Sequence, residues 1–234
     1  MIMTRAQKSR NKKQLQKKRQ LIADVNRHSP ITEQYRTIRT NIEYSAVDKE
    51  VKSILVTSAG PGEGKSTTAS NLAVVMGQNG QSVLLIDADM RKPTAHYTFN
   101  LMNNRGLTNV LTRQQKLQEV IQETQIQNVA LLTCGPIPPN PAELLNSKMM
   151  ELMLCEALEL YDSVIIDTPP VMAVADAQIL SNKVDGTIIV TSSGKTDRDE
   201  LEKTKANLLK ANANLLGVVL NNKPVDEKTY YYYQ

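Results

Sequence analysis

The chain has 234 residues, enough for one large domain or two small ones, and its 41% apolar content is enough to build a substantial core. Ten glycines, ten prolines and two cysteines exclude collagenous, disordered and disulfide-stapled classes. The net charge is +4, but residues 1–28 hold nine basic side chains (Arg5, Lys8, Arg10, Lys12, Lys13, Lys17, Lys18, Arg19, Arg27) against Asp24, a net +8 that leaves the remaining chain at −4. The folded part is therefore mildly acidic, and the pI near 8.9 reports the first residues.

Residues 1–28 are polar and aperiodic until about Leu21, which predicts a flexible basic arm with no core element. From Ile31 the apolar positions Ile31, Tyr35, Ile38 and Ile42 recur at helical spacing, with Thr32 as the expected N-cap. Six short β-branched runs follow: Ser53–Thr57, Val83–Ile86, Val129–Thr133, Val164–Ile166, Thr187–Thr191 and Leu215–Leu220. Helical patterns alternate with them, such as Ala69, Leu72, Ala73 and Met76, closed by Gly77 and Gly80. The run from Asn140 to Glu143 offers a capping Asn, a first-turn Pro and a reciprocal Glu for another helix. Continuous apolar strands between helices predict a doubly wound α/β fold with a mostly parallel sheet. No repeat or interdomain linker is visible, so the organisation expected is an arm over 1–28, one domain over 29–222 and a flexible tail over 223–234.

Cys134 and Cys155 stand in no metal-ligand spacing and read as thiols of a reducing compartment. No apolar run reaches the ~20 residues of a membrane-spanning helix, and the start lacks a signal-peptide core and cleavage site. A cytoplasmic protein is expected, with any membrane attachment supplied by charge or a partner. The arm's positive charges suit an anionic lipid surface. Nucleic acid is not expected as a partner, because no aromatics interleave with these charges and no recognition motif is present.

The strongest chemical signal is Ser58-Ala59-Gly60-Pro61-Gly62-Glu63-Gly64-Lys65-Ser66-Thr67, directly after a predicted strand and before a predicted helix. That context makes it a phosphate loop: glycines let backbone amides converge on phosphate, the helix N-terminus adds its dipole, Lys65 brings a point charge and Ser66 a ligand for Mg²⁺. Ala59 stands where the usual pattern has Gly. Two other strands end in carboxylates, at Asp87-Ala88-Asp89 and at Asp167-Thr168-Pro169-Pro170. In a parallel sheet all three segments reach the same edge, where ligands bind, so Asp87, Asp89 and Asp167 can surround phosphates held by Lys65.

The combination resembles the bacterial tyrosine kinases (BY-kinases) of polysaccharide export. It joins Pro61–Thr67, the Leu84–Arg91 segment with Asp87, Asp89 and Arg91, the Val164–Pro170 segment, and the tyrosine cluster Tyr230, Tyr231, Tyr232 and Tyr233. The resemblance runs from about Ser29 to the last residue and implies a P-loop fold related to ParA and MinD ATPases, with ATP and Mg²⁺ as cofactors. It implies a nucleotide site over Gly60, Gly62, Glu63, Gly64, Lys65, Ser66 and Thr67. Catalytic roles fall on Lys65, Asp87 and Asp89, with Mg²⁺ at Ser66, Asp89 and Asp167 and Asp87 close to the incoming phenol. The helix match Glu33-Gln34-Tyr35-Arg36-Thr37-Ile38-Arg39 implies homo-oligomerisation, as a ring, through Glu33, Arg36 and Arg39. Expected partners are a separate transmembrane activator that recruits the chain to the inner membrane face, other protein substrates and a tyrosine phosphatase.

The tail independently suits a substrate: four consecutive tyrosines, preceded by an aperiodic polar stretch, have no core to face. About ten residues beyond the last strand extend roughly 30 Å, enough to reach a neighbouring active site. Asn222-Lys223-Pro224-Val225-Asp226 misses the guanine-reading spacing by one residue, although Asn221 or Asn222 is placed to touch a base. Two rivals remain: a ParA/MinD-type switch ATPase, disfavoured because Gly60 occupies the position of its signature lysine, and a non-catalytic nucleotide-sensing subunit.

Overall fold

The computed structural model describes residues 21–45 and 50–224. Its first element, α1 (Ile22–Val25), is fastened to the body of the molecule. Ala23 is fully buried, its amide donates to Asn71 Oδ1 at 3.0 Å and its carbonyl accepts from Gln78 Nε2 at 2.8 Å. The stretch expected as an arm without a core element therefore ends in a packed segment, because Leu21 and Ala23 carry apolar surface into the core.

Helix α2 (Pro30–Ser45) starts one turn earlier than its apolar spacing suggested. Ser29 caps it, its Oγ accepting from the Thr32 amide at 3.0 Å, and Pro30 fills the first helical position, where a missing N–H costs nothing. Thr32 is not the cap: it is buried inside the first turn and its hydroxyl donates to Asn26 O at 2.7 Å. Tyr35 and Ile42 are buried and Ile38 packs beside them, but Ile31 lies at the exposed edge of the stripe.

Strand β1 (Ser53–Ser58) leads through the glycine-rich loop into α3 (Lys65–Gln78), then β2 (Val83–Asp87) and α4 (Ala95–Phe99). There follow α5 (Leu107–Leu111), α6 (Leu117–Val120), β3 (Gln122–Glu123), β4 (Val129–Leu132), α7 (Pro141–Leu145) and α8 (Lys148–Leu160). The last elements are β5 (Ser163–Asp167), α9 (Asp176–Ser181), β6 (Gly186–Ser192), α10 (Arg198–Lys210) and β7 (Leu215–Asn221). Pro141 opens α7 as expected, yet Asn140 caps no amide; its Nδ2 donates to the Glu143 carboxylate instead.

Among the described residues the strands form one sheet in the order β3-β4-β2-β5-β1-β6-β7, parallel throughout except for the two-residue antiparallel β3 at the edge. Strands β1, β2, β4, β5 and β6 are buried along their whole length, which is why they read as unbroken apolar runs. Helices cover both faces. Residues Thr68 to Gly77 of α3 are all buried, because this helix lies between the sheet and the α1–α2 layer and has no side left for water. Placing β5 between β2 and β1 brings the ends of β1, β2 and β5 together at one edge.

Ser29→Ala should lower stability by about 1 kcal/mol, the usual worth of an N-cap hydroxyl, and Ser29→Asp should retain most of it. Urea unfolding of the three proteins measures this; an unchanged midpoint for the alanine variant would assign no capping role to Ser29.

Candidate active site

Between β1 and α3 the loop turns on Gly62 (φ 74°) and Gly64 (φ 99°), a left-handed backbone that side chains rarely adopt. At Gly64 a Cβ would also crowd the Asn221 side chain and displace the amide that donates to Glu63 O. Glu63 faces inward: its buried carboxylate accepts from the Ala59 amide at 3.1 Å and from Thr196 Oγ1 at 2.7 Å. What this residue offers a ligand is its main-chain amide, while its side chain closes the loop from beneath. Gly60 lies half-buried and its carbonyl accepts from Ser58 Oγ at 2.8 Å; Thr67 is exposed at the start of α3.

Lys65 reaches back along the sheet edge. Its Nζ donates to Ser66 Oγ at 3.1 Å, Asp89 Oδ2 at 3.1 Å and Asp167 Oδ1 at 3.4 Å. Burial alone would lower the lysine pKa, but Asp167 and Asp89 outweigh it and raise it, so Lys65 is a firm ammonium. Asp87 and Asp167 are register partners on adjacent strands, both out of water. Burial, then the Asp167 charge, pushes Asp87 up to about 7, against the pull of the Ala95 amide. Burial likewise raises Asp167, against the Lys65 ammonium and the Ser66 hydroxyl. The Asp87 carboxylate is held by three amides: Thr94 and Ala95 donate to Oδ2 at 2.9 Å each, and Asp89 to Oδ1 at 3.3 Å. Asp89 in turn accepts from the Lys92 amide at 3.0 Å, which orients its other oxygen toward Lys65.

The donor set near Ser66, Asp89 and Asp167 is all oxygen, as a hard divalent cation requires, and its excess of carboxylates over ammonium leaves negative charge to neutralise. Among the described residues no three carboxylate, imidazole or thiol groups form a metal cage by themselves. Mg²⁺ is a hard cation that takes one or two protein ligands and completes its shell with phosphate oxygens and water.

Comparison with known proteins adds to this geometry. A family model described as an AAA domain matches residues 51–203. The tyrosine-protein kinase YwqD of Bacillus subtilis is 52% identical over 215 residues, covering 92% of this chain and 91% of that protein. The chain belongs to the bacterial tyrosine-protein kinase family. Among solved structures, the chimerical protein CapA2B2 superposes with a TM-score of 0.85 at 46% identity, covering 88% of this chain and 90% of that one. The septum site-determining protein MinD of Pyrococcus horikoshii, at 23% identity and a TM-score of 0.63, shares the fold of this kinase.

Arg91 of the kinase is a site residue whose partner no local pattern marked. It forms a two-pronged pair with the fully buried Asp176 at the start of α9, Nε to Oδ2 at 3.0 Å and Nη2 to Oδ1 at 3.1 Å. This ties the loop bearing Asp89 to the segment that follows Asp167. The Asp167-Thr168-Pro169-Pro170 turn is fixed on β1 in the same way, Thr168 Oγ1 donating to Val56 O and Thr57 Oγ1 to Pro169 O, each at 3.0 Å.

The three α2 residues part company. Glu33 and Arg36 pair with each other on a partly exposed face, whereas Arg39 turns inward and donates to Val75 O of α3 at 3.1 Å. The Asn221 amide is engaged by the chain itself, donating to Glu63 O at 3.0 Å and accepting from the Asn222 amide at 2.9 Å. Tyr230, Tyr231, Tyr232 and Tyr233 lie outside the described residues. Among those described, no helix is long and apolar enough to cross a membrane. Cys134 is buried and Cys155 exposed, both free.

Because Asp87 is pushed up to about 7 on folding, the folded chain binds a proton there that the unfolded chain releases near pH 4, and stability falls as pH rises between these values. In nucleotide- and metal-free protein, wild type should therefore lose melting temperature relative to Asp87→Asn as pH rises from about 4 to about 7. Thermal unfolding across that range gives the difference; a gap that shrinks as pH rises contradicts the assignment.

Proposed function

We propose that this kinase transfers the γ-phosphoryl group of ATP to tyrosine hydroxyls, with Tyr230–Tyr233 of a neighbouring copy as main acceptors. The reading rests chiefly on one observation: the Lys65 ammonium bridges Asp89 and Asp167 directly below a glycine-rich loop of free amides. Family membership supports the choice of tyrosine as acceptor. Phosphoryl transfer of this kind passes through a loose transition state, so the protein's contribution is positioning and charge neutralisation.

In this reading the loop amides and Lys65 hold the β- and γ-phosphates. Mg²⁺ would be held by Ser66, Asp89 and Asp167, and when bound it neutralises charge on the phosphate oxygens. Asp87 orients the phenol and accepts its proton, a task suited to a carboxyl raised toward neutrality. Arg91, locked on Asp176, keeps the Asp87–Asp89 segment at a fixed distance from Asp167.

Self-association through the partly exposed Glu33 and Arg36 face would bring one copy's tail to the next copy's site, and joining unlike patches closes into a ring when the rotation permits. Each phosphate adds about −1.5 to −2 charges, so a modified tail is repelled by the carboxylates and released. The basic first residues and a separate membrane protein acting as activator would bring the kinase to the inner membrane face, where it regulates capsule or exopolysaccharide production. The solved chimera among its structural relatives agrees with a kinase that works joined to a segment of another protein. Further protein substrates and a phosphatase that resets the tail complete the cycle.

Incubation of the purified chain with ATP and Mg²⁺, with and without the activator's cytosolic segment, followed by phosphotyrosine mapping, tests the proposal. Lys65→Met should reduce phosphotyrosine to background in a folded protein. Replacing all four tail tyrosines with Phe should remove most of it, and signal of equal strength elsewhere would free the tail from this role. Asp87→Asn should lower kcat by roughly 10²–10⁴ with less effect on KM for ATP, as expected of a lost general base. Arg36→Glu should yield smaller species in sedimentation. It is a cleaner probe than Arg39, whose loss also disturbs the packing of α2 on α3.

A further inference from the structure

The loop joining β6 to α10 carries a lysine that the reading above leaves unused. Lys195 Nζ donates to Pro61 O at 2.7 Å and lies 3.3 Å from Gly62 O, 134 and 133 residues away along the chain. Its base is fixed by a tight turn. The amides of Lys195 and Thr196 both donate to Ser192 O, at 3.1 and 3.0 Å, and the Thr196 hydroxyl accepts from the Ser192 amide and donates to Glu63.

The consequence follows from peptide geometry. In a trans peptide the C=O and the next residue's N–H point in opposite directions. A cation on the carbonyls of Pro61 and Gly62 therefore turns the amides of Gly62 and Glu63 the other way. Asn221, by engaging the Glu63 carbonyl, does the same for the amide of Gly64. Three successive peptide units of the loop are thus held from outside by their oxygens. Among the described residues nothing accepts from the amides of Gly62, Glu63 or Gly64. A row of oriented, unpaired amides is a nest for an anion, and a hydrogen bond to one end of a peptide unit polarises the other.

We propose that Lys195 is a positioning residue for the nucleotide: it braces the phosphate loop in its anion-binding conformation and strengthens the amides that grip the β-phosphate, without itself touching the phosphate. The proposal rests on the nucleotide-site reading above and adds to it a residue outside the glycine-rich motif. A brace acting on the β-phosphate nest serves ADP and ATP alike. A direct ligand of the γ-phosphate would serve ATP alone.

Calorimetric titration of the full chain with ADP and with ATP, in wild type, Lys195→Ala and Lys195→Arg, tests this. Lys195→Ala should weaken both nucleotides by a similar factor, roughly tenfold for one charge-assisted hydrogen bond. KM for ATP should rise more than kcat falls. Lys195→Arg, whose guanidinium also donates to two carbonyls, should recover most of the affinity. Circular dichroism and melting of the nucleotide-free proteins verify that folding is intact. Affinity within twofold of wild type in Lys195→Ala overturns the proposal, as does a loss confined to ATP or one that arginine leaves unrecovered. Wild-type protein that binds neither nucleotide would overturn the nucleotide reading itself, an outcome distinct from these.

Discussion

The Lys65 ammonium holds together a group of carboxylates that could not otherwise share one water-poor edge. Asp87 and Asp167 face each other across adjacent strands, and Asp89 approaches from the loop above. Without a cation between them, the cost of burial and mutual repulsion would protonate the group or pull the strand ends apart. Lys65 is the first residue of α3, so its position is set by where that helix begins, and the helix start is set in turn by the left-handed turn at Gly64.

That constraint explains why the surrounding structure is tied so tightly. Helix α3 is buried between the sheet and the α1–α2 layer and has little freedom to shift. The paired Arg91 and Asp176 fix the separation of the two acidic segments, and the threonines Thr57 and Thr168 lock the proline turn to β1. The loop is pinned by groups that follow β6 and end β7: Thr196 on the Glu63 carboxylate, Lys195 on two carbonyls and Asn221 on a third. The site is held in place by the chain's own contacts, which is the economical arrangement for chemistry that consists of placement and charge compensation.

Charge is distributed on a larger scale as well. A strongly basic start precedes a mildly acidic domain, and three buried carboxylates, Asp87, Asp89 and Asp167, lie where phosphate chemistry is expected. On the proposed function the basic segment and the carboxylate edge would address different partners: an anionic surface for one, a cation-bearing nucleotide and a neutral phenol for the other. Phosphorylation of the tail would set it against the second of these, so that the product's own charge ends its stay in the site.

Much of this was legible in the linear sequence because it is local. Each of the six apolar runs became a strand; five are buried on both faces, which leaves no room for alternation, while β7 is an edge strand only partly buried, and β3 escaped notice because two polar residues carry no period. The placement of the glycine-rich loop between strand and helix, and of the aspartates at strand ends, was readable because it depends on the residues beside them. Helix boundaries were less so: Ser29 rather than Thr32 caps α2, since only packing reveals that Thr32 is inside the first turn. What tertiary structure alone decided was which distant residues meet. The order β2-β5-β1-β6-β7 brings Asp167 to Asp87, Lys195 to Pro61 and Asn221 to Glu63, and the packing of α2 on α3 turns Arg39 inward while leaving Arg36 at the surface. Strand order depends on how the whole chain closes its core, and no spacing within a short window carries that information.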